Sequence, residues 1–167
     1  MARSELCDLR IATGESAHLA VLVGTEVFHL ERLHSDHLMK RVLSCKSRSP
    51  TNATSTGKVL LAYALNETRE RAISLGLRRY TARTLTDPDE LRRELAPVRA
   101  RDYATNREEF RPGTSSVAVP ILGKDGTAVA AMAVVAPSHS LSAIPMANAL
   151  RLRRQARERL ARTSGIP

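Results

Sequence analysis

Glu15 to Leu30 reads as an alternation of apolar and polar residues, with an apolar run at Leu19–Val23 and an interruption at Gly24-Thr25-Glu26. A period of two with a glycine turn predicts a β-hairpin, with strands His18–Val23 and Glu26–Glu31. Leu38–Cys45 is expected to form a further strand. From Thr54 the period changes: Val59, Leu60, Ala62 and Tyr63 mark the inner side of a helix over Thr54–Leu65, capped by Thr54 or Ser55. A second helix, Asn66–Leu75, is stopped by Gly76. Thr86-Asp87-Pro88-Asp89-Glu90 starts a third, with Thr86 as the cap, Pro88 in the first turn, and Leu91, Leu95 and Val98 as the buried stripe. Pro97 should bend or shorten it. Val117–Ile121 and Ala128–Ala136 read as strands joined through Lys124-Asp125-Gly126, and Ile144–Arg162 as a long terminal helix. Hairpins toward both ends with helices between predict an α+β fold around an antiparallel sheet. No repeat, low-complexity tract or linker divides the chain, so residues 1–167 are expected to form one domain.

Composition narrows the function. Aromatic residues are 3% of the chain and Trp is absent, which leaves little to stack on single-stranded bases. The net charge of +9, carried mostly by Arg, favours anionic partners. Much of it lies in Arg151–Arg162, where a docked helix with a solvated face is the favoured reading over a membrane or nucleic-acid binder. Two cysteines make no disulfide framework, the N-terminus lacks a signal-peptide core, and Ala128–Ala136 is half a membrane span. The cytoplasm is the expected location, with no membrane partner.

Candidate chemistry is sparse. Thr54-Ser55-Thr56-Gly57-Lys58 is not a phosphate loop, because Asn52 and Val59 replace the required Gly and Ser/Thr. It is a helix N-terminus, whose free N–H groups suit an anion. His34-Ser35-Asp36-His37 reads as a surface loop rather than a metal site, and His18 and His29 as structural residues. Glu108 and Glu109 are adjacent and diverge, so they make a poor acid–base pair. Ser115 and Ser116 have no His or Lys nearby in sequence. The pattern points to holding a small ligand, with no metal and no cofactor.

The segment Pro50-Thr-Asn-Ala-Thr-Ser-Thr-Gly-Lys-Val-Leu-Leu-Ala62 resembles the "P-L-H-A-T-A-x-G-K-A-L-L-A" signature of IclR-family transcriptional regulators. Thr13-Gly14-Glu15, Gly76-Leu77, Tyr80-Thr81, Thr84-Leu85-Thr86, Tyr103–Glu109 and Gly113–Pro120 follow in the family's order, and Gly126–Pro137 resembles its "G-x-V-V-A-A-L-S-V-S-G-P". The resemblance runs from about Leu6 to Ala161 and is to the C-terminal effector-binding domain. It implies a GAF-like fold and a non-enzymatic role: sensing a small-molecule effector and self-assembling as a dimer or tetramer. Operator DNA would be bound through an N-terminal winged helix-turn-helix absent from this chain. It also implies an effector site at Ser55, Thr56, Asn106, Ser116, Ala133 and Val135, with Leu38 as an apolar wall.

Departures from the pattern shape the expected ligand. Asn106 lacks a charge usual at its position, and Ala133 and Val135 lack two hydroxyls. Each polar ligand atom left unpaired there costs roughly 1–3 kcal/mol. An aromatic acid or an acyl compound is therefore expected rather than a compact oxoacid. Asn52 stands where His is usual, and Lys46 and Asp102 where Gly is usual. Two other functions compete: a stand-alone basic nucleic-acid-binding protein, and a small hydrolase using Ser116.

Overall fold

The computed structural model describes residues 2–35 and 48–141. Helix α1 (Ala2–Thr13) leads into strands β1 (Ser16–Val23) and β2 (Glu26–Leu33), then the two-residue β3 (Arg48–Ser49). Helices α2 (Ser55–Tyr63), α3 (Asn66–Ser74), α4 (Pro88–Leu95) and α5 (Val98–Arg101) follow. Strands β4 (Ala104–Arg107), β5 (Thr114–Leu122) and β6 (Ala128–Pro137) and the single turn α6 (Ser138–Leu141) complete the described chain. The strands form one six-stranded antiparallel sheet in the order β3-β2-β1-β6-β5-β4. Both expected hairpins are present, and pairing of β1 with β6 joins them at the centre. The α+β expectation holds.

Alternation along the strands sorts the core into two layers. Ala17, Leu19, Val117, Val119, Met132 and Val134 face α1, where Leu6 and Leu9 are fully buried. Ala20, Ala104, Ala118, Ala131 and Ala133 face the other side, against α2 and the stripe Leu91, Leu95 and Val98. Alanine on that face lets α2 lie close to the sheet. The uninterrupted apolar run of β6 follows, because a central strand covered on both faces needs no polar positions.

Local rules explain most boundaries. Thr54 caps α2 by accepting from the Gly57 N–H at 3.1 Å. Every residue of α2 is buried, so the predicted one-sided stripe understates its role as a central helix. Pro97 separates α4 from α5, as its missing N–H requires. The cap of α4 is Asp87 rather than Thr86: Asp87 Oδ1 accepts from the N–H groups of Asp89 and Glu90, both at 2.9 Å, while Thr86 Oγ1 accepts from Arg79. A carboxylate at the helix start outcompetes a hydroxyl one residue earlier. Asp102, where Gly is usual, holds the left-handed region at φ 60° and accepts from the Tyr63 hydroxyl at 2.6 Å. Helix α1 and the short strands β3 and β4 were not predicted. The expected strand at 38–45, the helix at 144–162 and Lys46 lie outside the described residues.

Candidate functional site

The register of the sheet lays out a floor on the α2 side. One row crosses four strands as Asn106, Ser116, Val135 and Ser16, and the next runs Ala104, Ala118, Ala133, His18 and Arg32. A bulge between Leu19 and Ala20 pairs His18 with Arg32 but Ala20 with His29. Leu30 is the extra residue. The bulge puts His29 and Arg32, three residues apart, on the same face. Over this floor lies a cavity of about 120 Å³.

Each wall has a distinct origin. The N-terminus of α2 supplies Thr54, Ser55 and Thr56. Since Thr54 takes the Gly57 N–H, the N–H groups of Ser55 and Thr56 have no acceptor among the described residues. The Ser55 hydroxyl meets the Ser116 hydroxyl at 2.7 Å. Asn106 Oδ1 accepts from the Glu109 N–H at 2.8 Å. Phe110, Arg111 and Thr114 contribute a second wall from the segment between β4 and β5. Thr84 donates to the Glu109 carbonyl at 2.6 Å and Thr81 to the Glu108 carbonyl at 2.8 Å, fixing that segment from outside. Tyr80 packs edge-on against Phe110 at 5.0 Å.

Beneath the segment lies a buried ion pair. Lys58, on α2, donates to both carboxylate oxygens of Glu109, at 2.8 and 3.0 Å, and its ammonium lies 3.5 Å from Glu94. The backbone approach to α2 at Gly57 is also close. A Cβ on Gly57 would sit 2.4 Å from Thr51 Cα, so only glycine fits there.

The far wall carries three imidazoles. The His18 ring meets those of His29 and His34 edge-on, with centroids 5.4 and 6.1 Å apart. His29 Nε2 shares a 2.8 Å hydrogen bond with Ser49 Oγ, while its Nδ1 is buried with no hydrogen-bond partner. Burial, then the charge of Arg32, lowers His29 from 6.5 to about 4. Burial first, then its neighbours His29, Arg32 and His34, holds His18 well below the usual imidazole range. His34 is lowered by the same two causes as His29. All three are neutral at pH 7, and no metal-binding cluster occurs among the described residues.

Six of the seven predicted site residues, Ser55, Thr56, Asn106, Ser116, Ala133 and Val135, line this one cavity. The seventh, Leu38, lies outside the described residues, as do Asp36 and His37. His18 and His29, expected to be structural residues, both line the cavity. Arg32 gave no signal in the sequence, because the bulge that turns it inward leaves no mark on a period-two pattern.

The model for the bacterial transcriptional regulator IclR C-terminal domain matches residues 1–162. The chain belongs to the IclR family. It is 37% identical over 125 residues to the probable transcriptional regulator SauR of Cupriavidus necator, covering 74% of this chain and 50% of SauR. It spans about half the length of the curated relatives it matches. An IclR homologue from Microbacterium hydrocarbonoxydans, solved with 4-hydroxybenzoate, superposes with a TM-score of 0.78 at 30% identity, over 94% of this chain and 67% of that one. A double mutant of the PobR inducer-binding domain from Acinetobacter, solved with 3-hydroxybenzoic acid, gives 0.79 at 31% identity over 94% of both chains. The match is to the C-terminal effector-binding domain of IclR regulators, which is GAF-like. Regulators of transcription, not enzymes, are its relatives, so the hydrolase alternative is set aside. Ser116 has a serine for its hydrogen-bond partner, not a base.

Proposed function

We propose that residues 1–167 form a single effector-sensing domain of an IclR-type regulator, and that the cavity over the β1–β6–β5 floor holds the effector. The observation that carries this is the α2 N-terminus. Two N–H groups without acceptors among the described residues, at Ser55 and Thr56, lie with the hydroxyls of Ser55 and Ser116 at one end of a cavity floored by Ala133 and Val135. A carboxylate fits the donors, where the helix dipole also favours negative charge. The body of an aromatic or other hydrophobic organic acid fits the floor. Complexes of two relatives with hydroxybenzoates support this ligand class.

In this reading the domain also self-associates, as a dimer or tetramer, and operator DNA is read by a winged helix-turn-helix outside residues 1–167. The effector acts only through its different affinities for two arrangements of the assembly. The cytoplasm is the compartment this function requires. No helix among the described residues is long and apolar enough to cross a membrane.

Thermal shift of the purified chain against aromatic acids, acyl compounds, small oxoacids and DNA tests the reading. A ligand at a hundred times its dissociation constant adds about 2.7 kcal/mol. Stabilisation by aromatic or acyl acids, lost in Ser116→Leu, is expected. Stabilisation by DNA alone would move the function to the basic surface.

A further inference from the structure

A carboxylate at the α2 N-terminus meets donors that are all neutral. They are the Ser55 and Thr56 N–H groups, the hydroxyls of Ser55 and Ser116, and the amide of Asn106, whose Oδ1 is already taken by the Glu109 N–H. Such donors serve a neutral carbonyl as well as an anion. What makes a site prefer the anion is a cation within reach.

Among the described residues, Arg32 and Arg111 are the arginines that line the cavity. Arg32 stands on β2, three strands from β5, which is roughly 14 Å across the sheet at ~4.8 Å per strand. Lys58, on α2, is spent on both carboxylate oxygens of Glu109. Arg111 is placed differently. It lies on the turn between β4 and β5, three residues before Thr114, and Thr114 is about 7 Å along β5 from Ser116. Its guanidinium makes no hydrogen bond or ion pair among the described residues and rests over the Phe110 ring at 5.5 Å. The carboxylate next on the turn, Glu108, is engaged by the Ser138 hydroxyl and the Gly113 N–H. Thr81 and Thr84 hold the carbonyls of Glu108 and Glu109, Tyr80 packs edge-on against Phe110, and Arg78 lies over Tyr80 at 5.4 Å. A fixed stack thus ends, at the cavity, in an exposed guanidinium.

We propose that Arg111 is the specificity-determining cation of the cavity: it turns from the Phe110 ring to the carboxylate held at the α2 N-terminus, so that an organic anion is taken and its neutral amide refused. This deepens the reading of the cavity as the effector site and rests on it. The backbone of the turn stays where Thr81 and Thr84 hold it, and only the Arg111 side chain moves. A guanidinium over an exposed ring is held weakly. Closing on a carboxylate that neutral donors already hold gains charge-assisted bonds, which are the strong ones. An amide offers Arg111 a carbonyl oxygen without the charge, and sets its own NH2 against the Ser55 and Thr56 N–H donors.

Isothermal titration of the whole chain with benzoate, 4-hydroxybenzoate and hexanoate, and with the three corresponding amides, at low and high salt, tests this. The acids are expected to bind roughly tenfold more tightly than their amides, with an affinity that falls as salt rises. Arg111→Gln should weaken the acids by about tenfold, leave the amides unchanged and flatten the salt dependence. Arg111→Lys should keep part of the preference, since it keeps the charge and loses the fork. The parent's acid-to-amide ratio and salt dependence stand even if a variant fails to fold. Equal weakening of acid and amide in Arg111→Gln would mark a merely structural role and overturn the proposal. Acids that bind Arg111→Gln as they bind the parent, and are lost in Ser116→Leu, would overturn it and leave the cavity reading intact. Acids and amides of equal affinity for the parent would do the same. No binding of any of the six, by titration or by thermal shift, overturns both.

Discussion

Replacing Lys58 by Met should be among the most damaging single changes in the described chain. The Lys58 side chain is 2% exposed and that of Glu109 10%. Removing the ammonium leaves the Glu109 carboxylate nearly dry, with the Arg107 N–H at 3.3 Å as its remaining donor among the described residues. Breaking a buried pair from one side costs about 3–5 kcal/mol. The reverse change is cushioned. In Glu109→Gln the ammonium still has Glu94, 3.5 Å away and part-exposed, which can turn toward it. That variant should lose about half as much, roughly 2 kcal/mol. Replacing both, Lys58→Met with Glu109→Gln, removes the unpaired charge as well as the pair, so the double variant should be less destabilised than the two single losses added together, with a coupling energy on the order of 2–3 kcal/mol. Urea unfolding followed by circular dichroism at pH 7 measures all three. The reasoning fails if Lys58→Met costs under about 1 kcal/mol, or if Glu109→Gln proves the more damaging single change.

Two further outcomes follow from the same geometry. Gly57→Ala should destabilise by roughly 1–3 kcal/mol despite the better helix propensity of alanine, because its Cβ meets backbone atoms of Thr51, which cannot swing aside as a side chain can; a melting temperature at or above that of the parent would refute this. Acid should also weaken the fold through His29. The unfolded imidazole takes its proton near 6.5 and the folded one only near 4, so the unfolded state binds more protons between those values. Stability is then full above about 6.5 and falls by up to ~3 kcal/mol as pH drops to about 4. His29→Gln should flatten that slope in urea titrations across the interval.

Local rules of period and capping made the hairpins, the α2 and α3 boundaries and the Pro97 break readable, because each depends on residues a few positions apart. Helix α4 was also readable, but its cap was misplaced by one residue where two capping residues, Thr86 and Asp87, compete. Strand β4 was hidden for a different reason. Ala104–Arg107 is short and mostly polar, and it is a strand only because β5 offers it an edge. The cavity was half legible. The resemblance supplied Ser55, Thr56, Asn106, Ser116, Ala133 and Val135, all on segments that carry family motifs. The imidazole end was not, since His18, His29 and Arg32 meet only through a bulge and a cross-strand register, and neither is written in local sequence.

On the proposed reading of the cavity, the signature segment builds the site without selecting its ligand. Thr51 donates to the Thr25 carbonyl, Asn52 to the carbonyls of Arg78 and Leu85, and Thr54 to that of Pro50. Gly57 admits the Thr51 backbone, and Lys58 holds the Glu109 segment. These side chains are spent on joining the β1–β2 turn, the 77–87 loop and the 108–113 wall around one helix end. What the segment leaves for a ligand is two backbone N–H groups and the Ser55 hydroxyl, which recognise a carboxylate and little else. On that reading, discrimination among acids comes from the walls that the signature assembles but does not contain: Val135 on the floor, Phe110 and Arg111 to one side, and His18, His29 and Arg32 at the far end. Substitutions there should change which acid binds without loss of the fold, whereas substitutions within the signature should cost the fold before they change the ligand.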